Sequence, residues 1–324
     1  MWAMRVRALA WVVVVVALVA TSCSSGGQPA TTTTPPPSQQ LNLEVASTDL
    51  YVGAPQRVGV GMFFADERTL SFGTTDLAFA FIGTAQAPVK PKPGPEATAS
   101  YVPTPETPAG TGQSPAVTSP SQARGIYVAE NVMFDRAGFW TVTVTAQVKG
   151  RGTLTAMTTF PVSQKPALPA PGQPALPTQN LTMHSKGVPR AAIDSRYTND
   201  GTIPDPELHE TTIAQALKRH EPALVVFSTP VYCISRFCGP VTDLVDALSK
   251  RYGDRAVFIH IEIYRDFQQQ VINQAAADWL YRNGELTEPW LYLIGADGTI
   301  VDRWSSLWSR EEVAAELEQL PPMT

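Results

Sequence analysis

The stretch Leu224–Lys250 (LVVFSTPVYCISRFCGPVTDLVDALSK) constrains the fold of this chain more than any other. Leu224-Val225-Val226-Phe227 is a short, wholly apolar run of the kind that forms a buried strand. Cys233 and Cys238 follow, five positions apart, and then Gly239-Pro240. Beyond them, Val241, Leu244, Val245, Leu248 and Tyr252 recur at the spacing of one helical face. The cysteine pair therefore belongs to a strand-to-helix turn, at or near a helix N-terminus. Unpaired N–H groups and the helix dipole favour negative charge there, so a thiol at this place tends to be acidic and reactive.

Geometry limits how the pair can join. On a continuous helix, residues five apart are separated by about 7.5 Å of rise and roughly 140° of rotation. Their Cα atoms are then about 8.6 Å apart, beyond the ~7 Å reach of a disulfide. A bond requires part of 233–238 to be non-helical. Pro240, well suited to a first helical turn, favours Cys233 in the preceding loop.

A length of 324 residues predicts about two domains. The formal net charge of −5, with no basic cluster, argues against nucleic acid as a partner. The 29 prolines crowd three segments, and these divide the chain.

The start reads as a targeting signal. Arg5 and Arg7 precede an apolar core, Ala8 to Ala20, too short to span a bilayer comfortably. Val19-Ala20-Thr21-Ser22-Cys23, followed by Ser24-Ser25-Gly26-Gly27, resembles the lipobox of bacterial lipoproteins. That resemblance implies a signal peptide over residues 1–22, cleavage before Cys23, and lipidation of its thiol. The protein would then be held at the extracytoplasmic face of the cell membrane by a lipid anchor. Of three cysteines, Cys233 and Cys238 remain as the one intramolecular pair, and export permits a disulfide between them.

Residues 23–40, rich in Thr, Pro, Ser and Gly, read as a flexible tether. Residues 41–162 carry about six short strand candidates between turn residues, which predicts an all-β sandwich. Trp140 to Val148 alternates cleanly, as a half-exposed antiparallel strand should. Tyr127 to Val144, with Phe134-Asp135-Arg136-Ala137-Gly138 ahead of the tryptophan strand, resembles immunoglobulin-like domains of exported bacterial proteins. The Pro-, Thr-, Ala- and Gly-rich run 83–123 predicts a disordered insertion. Residues 163–178, with prolines at 166, 169, 171, 174 and 177, read as an extended, semi-stiff linker between the sandwich and the cysteine-bearing domain.

Residues 179–324 suffice for one α/β core. The spacing predicts a helix over 211–220, a strand over 256–264, a helix over 267–281, strands over 290–294 and 299–304, and a last helix opened by the Ser309/Glu312 capping box. This order, with cysteines at the first strand-to-helix turn, resembles the thioredoxin superfamily. The resemblance implies a thioredoxin-like domain, a cis bond before Pro289 facing the cysteines, and a Glu288 backbone able to pair with an incoming chain. It also implies catalysis by Cys233, Cys238 and Pro289, with Thr229, Pro230, Gly239, Pro240 and Glu288 in support. The expected activity is thiol–disulfide exchange with extracytoplasmic protein thiols or disulfides, with no cofactor.

Four residues separate these cysteines where thioredoxins have two, and two alignments compete. Counting from strand Leu224–Phe227 makes Cys233 the attacking cysteine. The local text Phe237-Cys238-Gly239-Pro240 instead gives that role to Cys238. The spacing also resembles peroxiredoxins of the bacterioferritin-comigratory type, but Pro230 and Val226 stand where that chemistry wants a hydroxyl and a proline. Sco-type copper chaperones resemble the pair plus a histidine; His260, two residues from Glu262 on one strand face, is the candidate. His184, His209 and His220 show no ligand spacing, and Asp194, Asn199, Asp200 and Asp205 read as solvated turns, so no metal is expected. Two non-enzymatic readings complete the set: a structural disulfide, and a lipid-anchored binding module.

Overall fold

A computed structural model describes residues 40–323 except 106 and 108–112. The expected signal sequence, Cys23 and nearly all of the expected tether lie outside the described residues. Among those described, no helix is long and apolar enough to cross a membrane.

The described residues of the N-terminal half form nine strands: β1 (Asn42–Val45), β2 (Gln56–Phe63), β3 (Thr69–Ser71), β4 (Thr74–Gly83), β5 (Pro88–Pro103), β6 (Ala116–Thr118), β7 (Gly125–Val132), β8 (Gly138–Val148) and β9 (Gly152–Val162). All pair antiparallel in the order β6-β3-β2-β7-β5-β4-β8-β9, with β1 on β2. The two layers of the sandwich are joined by β5. It pairs β4 up to Ser100, then β7 from Ser100 to Pro103. Alternate residues of both layers meet between them. Val58 and Val60 of β2 and Tyr127 and Ala129 of β7 pack against Phe79 of β4 and Trp140, Val142 and Val144 of β8. Period-two alternation of β-branched and aromatic residues produces this one buried face.

The disordered insertion expected over 83–123 is corrected by the fold over its described residues. Residues 88–103 form β5, the longest strand. Its prolines hide it in the sequence, since proline donates no ladder hydrogen bond. The fold accommodates them because the Pro88–Ala97 part lies at an edge with β4 as its partner, and the β4–β5 register shifts twice. Gly94 is required: a Cβ there would lie 2.4 Å from the Trp140 ring.

The C-terminal half is α/β. Its elements are α1 (Ile213–Arg219), β10 (Ala223–Ser228), α2 (Cys238–Tyr252), β11 (Val257–Glu262), β12 (Tyr264–Asp266), β13 (Val271–Ile272), α3 (Gln274–Leu280), β14 (Tyr281–Arg282), β15 (Glu285–Leu286), β16 (Trp290–Ile294), β17 (Ile300–Ser305) and α4 (Arg310–Gln319). The sheet runs β11-β10-β16-β17, with β10 and β11 parallel and the other pairs antiparallel. β10 and β16 are buried along their whole length, which explains their unbroken apolar runs. Leu224, Val226, Leu291 and Leu293 face α2 and α4; Val225, Phe227, Tyr292 and Ile294 face α1 and α3. Each large apolar side chain buried in this way contributes about 1.5–3 kcal/mol.

The helix expected over 267–281 is shorter. Asn273 caps it, accepting from Ala275 N at 3.3 Å, and the helix covers only Gln274–Leu280. Phe267, Val271, Ala275 and Trp279 share helical spacing, but Asp266 accepts from Gln269 N at 3.1 Å and turns the chain into the β12–β13 hairpin.

Residues 163–178 do not hold the halves apart. Leu168 and Ala175 are buried against the α/β core, Gly172 N donates to Ile300 O (2.9 Å), and Ala175 N donates to Gly298 O (2.9 Å). The halves also share a core. On β7, Tyr127 and Ala129 point into the sandwich, while Ile126 and Val128, with Val102, join the cluster of Leu244, Leu307 and Trp308. Polar ties surround this shared core. Arg57 binds Glu130 (3.1 Å) and Glu312 (3.0 Å), and buried Asp49 binds Arg303 (2.8 Å).

Candidate functional site

β10 ends at Ser228, and Thr229 turns the chain: its carbonyl accepts from Tyr232 N (3.2 Å) and Cys233 N (3.1 Å). Cys233 sits in the loop after this turn, and Cys238 is the first residue of α2. Their Cα atoms are 5.9 Å apart and the two are disulfide-bonded. The loop placement of Cys233 is what brings the pair inside bonding reach. The two sulfurs differ in access. Cys238 is fully buried, whereas Cys233 is partly open and its neighbour Ile234 is almost wholly exposed. Pro240 occupies the first turn of α2. A Cβ on Gly239 would sit 3.7 Å from Pro230 O, an ordinary contact, so Gly239 is not sterically required.

The Glu288–Pro289 bond is cis, as the resemblance implies, and Pro289 lines the same groove as Cys233. This groove has a volume of about 570 Å³. Glu44, Ala46 and Thr48 of the sandwich form one wall; Cys233, Tyr264 and Glu288 belong to the other. Nothing in the sequence pattern shows that the sandwich closes over the cysteines. Thr48 and Thr287 hydroxyls, 3.3 Å apart, tie the two walls, as does the Ser306 hydroxyl donating to Ala46 O at 2.7 Å.

The Glu288 side chain also reaches the cysteine pair. A carboxylate oxygen of Glu288 and the sulfurs of Cys233 and Cys238 all lie within 4.8 Å of one another. Its Oε2 is buried and has no hydrogen-bond partner. Burial, and then the charge of Glu262, push this carboxyl up to about 8, partly offset by a backbone hydrogen bond from Thr229. Glu262 is itself pushed up by burial, though its oxygens accept from Ser195 N (2.8 Å) and Ile263 N (3.0 Å). A half-buried carboxyl in the groove wall, Glu288, thus has a fully buried one, Glu262, near it.

His260 does not join the cysteines. Its Nε2 lies 3.0 Å from Ser228 Oγ, and its ring packs 5.1 Å from that of His209. Asp194, His209 and His260 form a separate, wholly buried group. This corrects the reading of Asp194 as a solvated turn, and it brings His209, which has no ligand spacing in the sequence, beside His260. Three separate segments build the group, so no local spacing could announce it. Burial alone would raise the Asp194 carboxyl, but its bonds to His209, His260 and Arg196 hold it well below the ordinary carboxylate range. Burial pushes His209 down. Ser228 Oγ continues the network to Thr242 Oγ1 (2.7 Å), which donates to Cys238 O (2.7 Å). The network braces the start of α2 from beneath. His184 is exposed and meets Glu210 (2.8 Å), and His220 ends α1 in a left-handed conformation. Asp200 accepts from Thr198 in an exposed turn.

Comparison with known proteins returns no matching family model and no matching curated protein.

Proposed function

We propose that the protein is a membrane-anchored thiol–disulfide exchange protein of thioredoxin-like architecture, acting outside the cytoplasm through Cys233 and Cys238. The observation that carries this reading is the asymmetry of the pair: a disulfide joins a solvent-reachable loop cysteine to a buried cysteine at a helix N-terminus. The order of elements in residues 179–324 and the cis bond before Pro289 in the same groove support it. Lipid anchoring through Cys23 is proposed on the lipobox resemblance.

In the reducing direction, the Cys233 thiolate attacks one sulfur of a partner disulfide, and the other partner sulfur leaves as a thiolate. Cys238, as thiolate, then attacks Cys233 Sγ and releases the second partner sulfur. Two electrons pass from the pair to the partner. The oxidising direction is the reverse. The dipole of α2 favours the thiolate of Cys238. Cys233 is the attacking residue because an incoming sulfur can reach it and cannot reach fully buried Cys238.

Trapping tests the assignment. Cys238→Ser should accumulate mixed disulfides with exported proteins on non-reducing gels, and Cys233→Ser should accumulate few. The opposite pattern gives the attack to Cys238. Trapping by neither variant, with a bond that survives glutathione-range reductants, leaves a structural disulfide and overturns the proposal.

A further inference from the structure

We infer that the reduced protein binds a soft divalent cation of the zinc type through Cys233 Sγ, Cys238 Sγ and a carboxylate oxygen of Glu288. The three atoms converge from three separate places in the chain: the loop after β10, the first turn of α2, and the residue before the proline that leads into β16. A tetrahedral zinc ion, with bonds of about 2.3 Å to sulfur and about 2.0 Å to oxygen, needs ligand atoms roughly 3.4–3.8 Å apart. Atoms already within 4.8 Å of one another meet that requirement with small side-chain rotations once the sulfur–sulfur bond is open.

A second observation points to a ligand. Glu288 Oε2 is buried and unpartnered. A buried polar atom without a hydrogen bond costs about 1–3 kcal/mol, more when it is charged. Coordination would satisfy it, and a cation would neutralise the charge that burial and Glu262 oppose. Two thiolates select a soft ion over magnesium or calcium. Three protein ligands leave the fourth position of a tetrahedral ion open, here towards the groove, as in zinc sites that hold a solvent or substrate ligand.

The other compact group, Asp194, His209 and His260, makes a useful contrast. Asp194 Oδ2 is already 2.8 Å from Arg196 Nη2, so a cation there would face a fixed guanidinium. No such cation bonds Glu288 Oε2.

The site is gated by oxidation state. A phosphine reductant opens the disulfide, with the phosphine becoming its oxide and water supplying oxygen and two protons to give two thiols. Metal binding then displaces both thiol protons, and the proton held by the Glu288 carboxyl, to solvent. The inference rests on the proposed function only in needing a reducible pair.

Cobalt(II) titration of the full chain carrying Cys23→Ala, so that the pair supplies the only thiols, tests it. After anaerobic phosphine reduction, thiol counting shows whether the pair has opened. The reduced chain should take up one cobalt with a near-ultraviolet thiolate-to-cobalt band and the strong visible bands of a four-coordinate ion. The oxidised chain should show neither, and zinc should displace the cobalt. Glu288→Gln should weaken binding at least tenfold, and Cys233→Ser should abolish the band. Two free thiols without a cobalt band overturn the site while leaving exchange untouched. Equal affinity in Glu288→Gln removes the carboxylate from it. A pair that the phosphine cannot open overturns both readings.

Discussion

Glu288→Gln should change how stability depends on pH, in a way that isolates the buried carboxyl. In the unfolded chain this group titrates near 4.5; in the fold, burial and Glu262 push it up to about 8. A raised value means that the folded state holds the proton more tightly. Its contribution to stability is therefore fully present below pH 4.5 and is lost as pH rises towards about 8. Full expression of that difference corresponds to a ceiling of about 5 kcal/mol. Water entering from the groove lowers this to roughly 2–3 kcal/mol, half the ceiling. The amide does not titrate, so the variant lacks this slope. It does place the amide N–H₂ or the amide's one carbonyl oxygen where Oε2 has no partner, at a cost of up to about 1–3 kcal/mol that is independent of pH. The diagnostic quantity is therefore the change in the stability difference with pH, not its absolute value. Urea unfolding of both oxidised chains across this range, at matched m-values, measures it. The variant should gain on the wild type by roughly 2–3 kcal/mol between the two ends of the range. A difference that stays flat would mean that Glu288 is solvated in the fold, and the electrostatic account of the groove would fail.

Two further outcomes are expected. Asp49→Ala should cost about 3 kcal/mol in urea unfolding, because it removes the carboxylate paired with the largely buried Arg303 guanidinium, which keeps its carbonyl acceptors at Pro169 and Asp49. It also removes the acceptor for Ala167 N and Leu168 N, so the 163–178 segment should become protease-sensitive in the same variant. Cys23→Ala should move the chain from the membrane fraction to the soluble fraction or block its processing; wild-type chain free in the medium with an unmodified N-terminus would refute the lipid anchor.

Much of the C-terminal half is legible in the sequence because its elements carry strong local signals. Leu224–Phe227 and Trp290–Ile294 are unbroken apolar runs, and Ser309 with Glu312 forms the capping box whose bonds are 3.1 Å and 2.6 Å long. Trp140–Val148 is legible by alternation. β5 is not, since its prolines remove the usual signal and its pairing depends on β4 lying beside it. The cysteine pair is visible, but the Glu288 carboxyl beside it is not, because nothing in a Glu-Pro pair shows which way the side chain points. The Asp194, His209 and His260 group is hidden for a related reason. It exists only where three distant segments meet.

The dual role of β7 bears on how the chain can be made. Residues 41–162 can close the sandwich core by themselves, since Tyr127, Ala129, Phe79 and Trp140 all lie within them. Val102, Ile126 and Val128 cannot be covered then, for their partners run from Leu208 to Leu317. A polypeptide emerging N-terminus first therefore carries an uncovered apolar stripe on an otherwise finished sandwich until its last helix has followed. That interval is when it is most exposed to aggregation.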